Sequence, residues 1–258
     1  PDIQYALLEN PSEFTGNQYF TRIDFNATEK DRLAFTLFYT PTKAFSTDTA
    51  GRSRPMSDII SERLNWAAAF IYNRVFTSTL LNEFRVNVTR WGYDESSSNP
   101  DTDFGIPRIE VEGLPFDRIR FGANRSENTP GILQETQLDI RDIVSKTLGN
   151  HSLKFGAEYR KEKNDNSIQG GARPLYSFVR LWNLANDAPI FEAINASPVT
   201  GAPAEGRFNY RSTNYAFFGQ DDWKVRQNLT LNIGLRWEYF GPVSDKANNL
   251  TNLILGSN

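Results

Sequence analysis

The strongest constraint in this sequence is an alternation of apolar and polar residues with a period of two, which recurs in four pairs of segments. A period of two is that of a β-strand, because successive side chains of a strand point to opposite sides. In the last pair the return segment after a turn at 226–228 places its apolar side chains on one face: Leu229, Leu231, Ile233, Leu235, Trp237 and Tyr239. The pattern therefore predicts four β-hairpins, at about 17–40, 61–92, 134–162 and 212–240.

The connections alternate in length along the chain. Turns inside each pair are short, whereas the connections between pairs are long, at about residues 41–60, 93–133 and 162–212. Loops of this length are uncommon in compact domains, but short turns that alternate with long loops are typical of outer-membrane barrels. Strands of about 10–12 residues also match the length that a tilted transmembrane strand needs. The sequence predicts an all-β, antiparallel, up-and-down transmembrane β-barrel segment of about eight strands, with short periplasmic turns and long extracellular loops.

The two predicted faces differ in their chemistry. The polar face carries opposed charges, and we expect these side chains to face a barrel lumen: Arg22, Asp24, Glu83, Arg85, Glu158, Arg160, Arg236 and Glu238. The apolar face carries aromatic residues near strand ends, as in the girdles of membrane barrels at the lipid–water boundary. These candidate lipid-facing residues are Tyr19, Tyr39, Trp66, Tyr72, Tyr159, Trp237 and Tyr239.

Composition restricts the function. The 258 residues include 19 Phe, 10 Tyr and 5 Trp but no Cys and one His, and the formal net charge is −3. Without cysteine there are no disulfides or thiolate metal sites, and the weakly acidic balance gives no electrostatic footprint for nucleic acid. No apolar run is long enough for a transmembrane helix. We therefore expect no enzyme activity, no cofactor, no metal site and no nucleic-acid partner.

The chain carries one long motif, the stretch 214–225 followed by 229–239, and three weaker ones, Arg22–Asp24 with Lys30–Leu33, Thr79–Arg85 and Gly149–Gly156. These motifs resemble the barrel of TonB-dependent outer-membrane transporters, and most of all the Oar-like group. The resemblance implies a barrel of about 22 strands with a plugged lumen. It also implies a location in the bacterial outer membrane and the lipid bilayer with its lipopolysaccharide, a plug domain, the TonB complex and an unknown ligand as partners. We expect the chain to be a barrel fragment without plug or TonB box, which serves ligand uptake or export.

Other candidate sites are weaker. Asp221 and Asp222 are adjacent in a strand, so they point to opposite faces and cannot act together as acid and base. His151 is expected to be an exposed turn residue, and Asp142, which interrupts an apolar face, predicts a bulge or a strand end. The loop 162–212 holds candidate ligand contacts, since aromatic and Arg side chains stack on sugars or flat chelates: Arg173, Tyr176, Arg180 and Trp182.

Two alternatives remain open from the residues. A small, self-closed eight-stranded barrel would have a structural or adhesive role, with Arg/Glu pairs that fill its interior. A soluble carbohydrate-binding β-sandwich would bury the apolar faces as its core and expose the polar faces to water.

Overall fold

The computed structural model describes residues 12–46, 59–97, 108–113, 119–121, 131–168, 174–197, 199–204, 206–248 and 250. Its elements in chain order are β1 Ser12–Gly16, β2 Tyr19–Asn26, β3 Asp31–Ser46, β4 Ile59–Thr77, β5 Leu80–Ser97, β6 Arg108–Val111, β7 Ile119–Phe121, β8 Gly131–Leu148, β9 His151–Ile168, β10 Leu175–Phe178, α1 Leu181–Ala185, β11 Phe191–Ala193, β12 Phe208–Arg226, β13 Leu229–Phe240 and β14 Ser244–Asp245. No helix in these ranges is long and apolar enough to cross a membrane.

The main sheet is antiparallel and follows the order of the chain. Its path is β1-β3-β4-β5-β8-β9-β12-β13, and β2 pairs with β3 while β14 pairs with β12. The predicted hairpins β2–β3, β4–β5, β8–β9 and β12–β13 are all present. The expected eight strands become ten, because the edge strand is divided into β1 and β2 and because β14 adds a short segment.

The described sheet is open, so the alternative of a self-closed eight-stranded barrel is wrong. The strands β1 and β2 lie at one end of the strand order and β13 lies at the other. A closed barrel needs a hydrogen-bonded ladder between the first and last strands, and the described residues contain none.

The long strands extend well beyond the predicted 10–12 residues. The strands β3, β4, β5, β8, β9 and β12 have 16 to 19 residues each. Their ladders continue past the apolar segments into stretches where both faces are polar, so the alternation fades although the strand does not end. Parts of the predicted loops are also structured, because β7, β6, β10 and β11 form a second, four-stranded sheet and α1 follows β10.

The strands are tilted relative to the line of short turns. One hydrogen-bonded row begins at Phe35, four residues beyond Asp31, and ends at Tyr239, ten residues beyond Leu229. The row passes through Phe35, Phe70, Val86, Ile140, Tyr159, Tyr215 and Tyr239. It rises six residues over six strand-to-strand steps, which at about 3.3 Å per residue and 4.8 Å per strand is a tilt of about 35°. Closed barrels have strand tilts of this size.

The expected bulge at Asp142 is absent. Asp142 pairs in regular register with Phe84 on one side and Ala157 on the other, and β8 continues to Leu148. The side chain of Asn82 compensates, because its Nδ2 donates to Asp142 Oδ1 at 2.5 Å and to Ile143 O at 3.1 Å. A carboxylate with a hydrogen-bond donor beside it can remain on an apolar strand face without breaking the ladder.

The apolar face of the main sheet is uncovered. On β13 the side chains of Ile233, Leu235 and Trp237 are 59%, 79% and 55% exposed, whereas the described buried apolar residues are few: Val111, Ile143, Phe178 and Ala216. A soluble sandwich would pack a second sheet on this face. The described four-stranded sheet does not serve this purpose, because these side chains stay exposed in its presence.

Engineered cysteines test the register and hence the tilt. The natural chain has no cysteine, so the double variant Val86→Cys with Ile140→Cys should form one disulfide, because these residues are directly paired. The offset control, Val86→Cys with Asp142→Cys, places the Cα atoms about 7–8 Å apart and should stay reduced. Gel mobility under mild oxidation measures both. Equal cross-linking of the two pairs would contradict the register.

Candidate functional site

The predicted polar-face residues share one side of the sheet, and each of them forms an ion pair. Arg22 Nε lies 2.7 Å from Asp24 Oδ2, and Arg160 Nε lies 2.6 Å from Asp139 Oδ1. Arg85 Nε is 2.7 Å from Glu83 Oε1, but its N–H does not point at that oxygen, so this contact is an ion pair without a hydrogen bond. Alternating charges along neighbouring strands thus neutralise one another on the sheet surface.

The densest part of this face is the Glu158 cluster, which consists of Arg141, Glu158, Arg236, Glu238 and Phe218. Arg236 Nη2 donates to Glu158 Oε2 and Arg236 Nε donates to Glu238 Oε1, both at 2.7 Å. Arg141 Nε lies 3.0 Å from Glu158 Oε1 on the other side. Glu158 therefore joins two guanidinium groups from β8 and β13, and its side chain is 28% exposed.

Two small residues make the Glu158 cluster possible. Ala216 lies on β12 between Glu158 and Glu238 in the same row, so its methyl group leaves room for Arg236 to reach across β12. Gly156 lies under the ring of Phe218, and a Cβ there would collide with the ring. The ring in turn lies 5.9 Å and 5.8 Å from the guanidinium carbons of Arg141 and Arg236. Cation–π contacts at such distances favour a fixed position for both arginines.

Aromatic residues of the apolar face form two rows far from the short turns. Tyr19, Tyr39 and Trp66 are paired across three strands, and so are Tyr159, Tyr215 and Tyr239. The ring centroids are 6.1 Å apart for Tyr19–Tyr39, 5.5 Å for Tyr159–Tyr215 and 6.3 Å for Tyr215–Tyr239.

Tyr39 and Tyr159 lie at the same distance from the short turns, although they belong to different hydrogen-bonded rows of the ladder. Tyr39 and Tyr159 each lie eight residues beyond the first residue of their strand. The strand tilt accounts for this. In an untilted sheet, residues at the same distance from the turns would all lie in one hydrogen-bonded row. One predicted girdle residue, Tyr72, lies closer to the turns than these rows, and its hydroxyl donates to Asp31 Oδ1 at 2.6 Å. Trp237 lies eight residues beyond Leu229, at the same distance from its turn as Tyr39 and Tyr159.

His151 follows the turn and its side chain is 41% exposed, as expected, but it also has a partner that the sequence did not indicate. It begins β9, and its Nδ1 lies 2.7 Å from Asp221 Oδ2 while its ring stacks on Trp223 at 5.3 Å. Sequence reasoning missed this contact because the pairing of β9 with β12 brings together residues 70 positions apart. The expected separation of Asp221 from Asp222 is confirmed, since adjacent strand residues face opposite sides.

The predicted loop contacts are only partly described. Arg173 lies outside the described residues. Tyr176 lies in β10, Arg180 directly precedes α1, and Trp182 lies in α1 with 69% of its surface exposed. In the described ranges, no three His, Asp or Glu side chains are grouped as metal ligands would be.

Comparison with known proteins agrees with this geometry. A family model described as "Outer membrane beta barrel domain" matches residues 3–258. Among solved structures, the outer membrane transporter YddB from Escherichia coli is similar, with a TM-score of 0.57 and 14% sequence identity. The similarity covers 91% of this chain and 29% of that one, so the chain spans less than a third of that transporter. At this identity the similarity concerns the fold alone. Comparison with curated proteins finds no significant match.

The variant Glu158→Gln tests the Glu158 cluster. It removes the charge that two arginines share, so we expect the free energy of unfolding of the membrane-inserted protein to fall by about 1–2 kcal/mol. The matched control is Glu83→Gln on the same face, where one arginine loses its ion pair and the loss should stay below about 1 kcal/mol. Urea unfolding monitored by tryptophan fluorescence measures both. An effect of Glu158→Gln no larger than that of the control would contradict the shared role.

Proposed function

The chain belongs to the family of outer membrane beta barrel domains, and on that premise we propose that it forms part of the wall of a TonB-dependent transporter barrel. Its location is the bacterial outer membrane. The observation that carries the proposal is the tilted, open antiparallel sheet with one uncovered apolar face and one ion-paired polar face. Further strands of the same transporter would complete the wall, because an open edge within lipid would leave backbone groups without hydrogen bonds.

In this proposal the apolar face contacts lipid. Exposed side chains such as Ile233 and Leu235 then meet acyl chains, and the two rows at Tyr39 and Tyr159 lie at the outer lipid–water boundary. The distance from Asp31 to Tyr39 supports this assignment. Eight residues at about 3.3 Å, tilted by about 35°, span roughly 22 Å, close to the height of the apolar band of bacterial barrels. Lipid and lipopolysaccharide are the corresponding partners.

The polar face lines the lumen in the same proposal. A lumen that holds a plug domain is crowded and poorly hydrated, so unpaired charges there would be costly. The ion pairs around Glu158 and between Arg22 and Asp24 support this assignment, because the wall neutralises its own charges before a plug docks. We propose a transporter and not an enzyme, and the opposite orientation of Asp221 and Asp222 is consistent with this because they cannot act jointly as acid and base.

Ligand transfer would begin at the ends of the strands that lie far from the short turns. The segment with Tyr176, Arg180 and Trp182 offers stacking surfaces there for a flat or sugar-like ligand. A plug domain coupled to the TonB complex would then control passage through the lumen, for either uptake or export.

Binding to TonB tests the transporter class without knowledge of the ligand. The full-length protein in detergent should bind the purified periplasmic domain of TonB saturably.

Conductance across planar bilayers tests the lumen. The protein should conduct no current at rest, and a large conductance should appear when urea unfolds the plug. Loss of both results would contradict a plug-gated transporter, and a small constant conductance would indicate a narrow, permanently open barrel.

Substitutions on the two opposite faces of β13 test which face contacts lipid. Leu235→Arg should impair folding into vesicles by about 2–4 kcal/mol, because it places a charge in the apolar part of the bilayer. Asn232→Arg introduces the same side chain on the opposite face of the same strand and should have an effect of less than about 1 kcal/mol. Urea titration of vesicle-inserted protein measures both. The reverse order of effects would show that the polar face contacts lipid.

A further inference from the structure

A groove of about 780 Å³ lies on the apolar side of the sheet and is formed by β1, β3, β4, β5 and β8. Its floor is a local opening between β4 and β5, where the ladder passes from the pair Arg63–Tyr93 to the pair Trp66–Arg90. The Gly92 N–H donates instead to Asn65 Oδ1 at 3.3 Å. Gly92 is required there, because a Cβ would lie 2.6 Å from the carbonyl oxygen of Leu133.

The groove begins at the aromatic row and extends away from the short turns. Trp66 forms its lower wall, and Lys43 and Glu62 lie four residues farther along β3 and β4 than Tyr39 and Trp66. Four residues of tilted strand correspond to about 11 Å. If the aromatic row marks the outer boundary of the hydrocarbon, the groove therefore occupies the layer of lipid headgroups.

The chemistry of the groove is mixed and not strongly cationic. Lys43 Nζ donates to Glu62 Oε1 at 2.7 Å, and Arg90 Nη2 donates to Gln134 Oε1 at 2.6 Å. Asp94 adds a second carboxylate and Arg63 a third cationic group to the lining, so its formal charges nearly cancel. A ligand with many hydroxyl groups, which both donate and accept hydrogen bonds, matches such a lining better than a bare phosphate does. The indole of Trp66 supplies the flat apolar surface on which one face of a sugar ring can stack.

The apolar face next to the groove has a small residue, Ala68, on the side toward the short turns. Ala68 follows Trp66 on the same face of β4, and its row contains Leu37, Val88 and Leu138. The small methyl group of Ala68 leaves a shallow depression between the larger side chains of Leu37 and Val88. An acyl chain of a lipid bound in the groove can therefore lie along Ala68. A free oligosaccharide has no acyl chain and would make no use of this depression.

We propose that this groove binds the sugar headgroup of a glycolipid from the outer leaflet, with Trp66 as stacking platform and Asp94, Glu62 and Arg90 as hydrogen-bonding groups. The inference rests on the proposed contact of the apolar face with lipid. It goes further, because it assigns one defined lipid site to a surface that is otherwise expected to contact lipids without selection.

Native mass spectrometry of the full-length protein in detergent tests this site with three probes. The probes are a neutral glucosyl diacylglycerol, a phosphatidylglycerol with the same acyl chains, and maltotriose. We expect one retained glycolipid per protein, which phosphatidylglycerol and maltotriose do not displace. Preferential retention of phosphatidylglycerol would overturn the proposal in favour of a phosphate site. Displacement by maltotriose would overturn it in favour of a soluble sugar, and absence of retained glycolipid would overturn it outright.

Matched variants locate the site. Trp66→Leu and Asp94→Asn should each lower glycolipid occupancy about tenfold, as expected for loss of one charged hydrogen bond or one aromatic contact. The controls are Tyr239→Leu in the other aromatic row and Asp165→Asn, which lies outside the groove, and both should retain the lipid. Heat-modifiable gel mobility verifies that every variant is folded. Equal losses in variants and controls would overturn the site, whereas the lipid orientation is judged separately by the Leu235 and Asn232 variants.

Discussion

The register of one continuous antiparallel ladder determines most of this structure. From β3 to β13 the turns shift relative to the ladder by an average of about one residue per strand-to-strand step, and this shift sets the tilt of the strands. The tilt in turn brings Tyr39 and Tyr159 to one height, although they lie in different hydrogen-bonded rows. On β3 and β9 the residues next to the short turns, Asp31 and His151, are each eight residues from the tyrosine of the aromatic row.

Charged and polar side chains find their partners in different ways on the two faces of the sheet. On the polar face the charges neutralise one another within the sheet, and the shared carboxylate of Glu158 joins strands that are not neighbours. On the apolar face, between the short turns and the aromatic rows, polar side chains pair with neighbours on the sheet, for example Asp142 with Asn82 and Asp221 with His151. Such pairs lower the cost of a polar group next to lipid. The wall of the proposed transporter therefore has few unsatisfied charges before the plug or ligand arrives.

The sequence predicts those features that depend on local alternation, and fails for features that depend on register. The four hairpins and the shared face of Arg22, Glu83, Glu158 and Arg236 follow from a period of two and were predicted. The contact of His151 with Asp221, the place of Tyr215 in an aromatic row and the groove at Gly92 require the pairing of distant strands, which no local pattern encodes. The four-stranded sheet of β7, β6, β10 and β11 was missed because strands of three or four residues are too short to show a period.

Site-directed spin labelling along β13 tests the central claim most directly. Single cysteines introduced from 229 to 240 in the otherwise cysteine-free protein would carry the label. In lipid vesicles, oxygen accessibility should peak at every second position, at 231, 233, 235 and 237, while the positions between them stay inaccessible to oxygen. A flat profile, or peaks at 232, 234 and 236, would show that the apolar face does not contact lipid and would contradict the account.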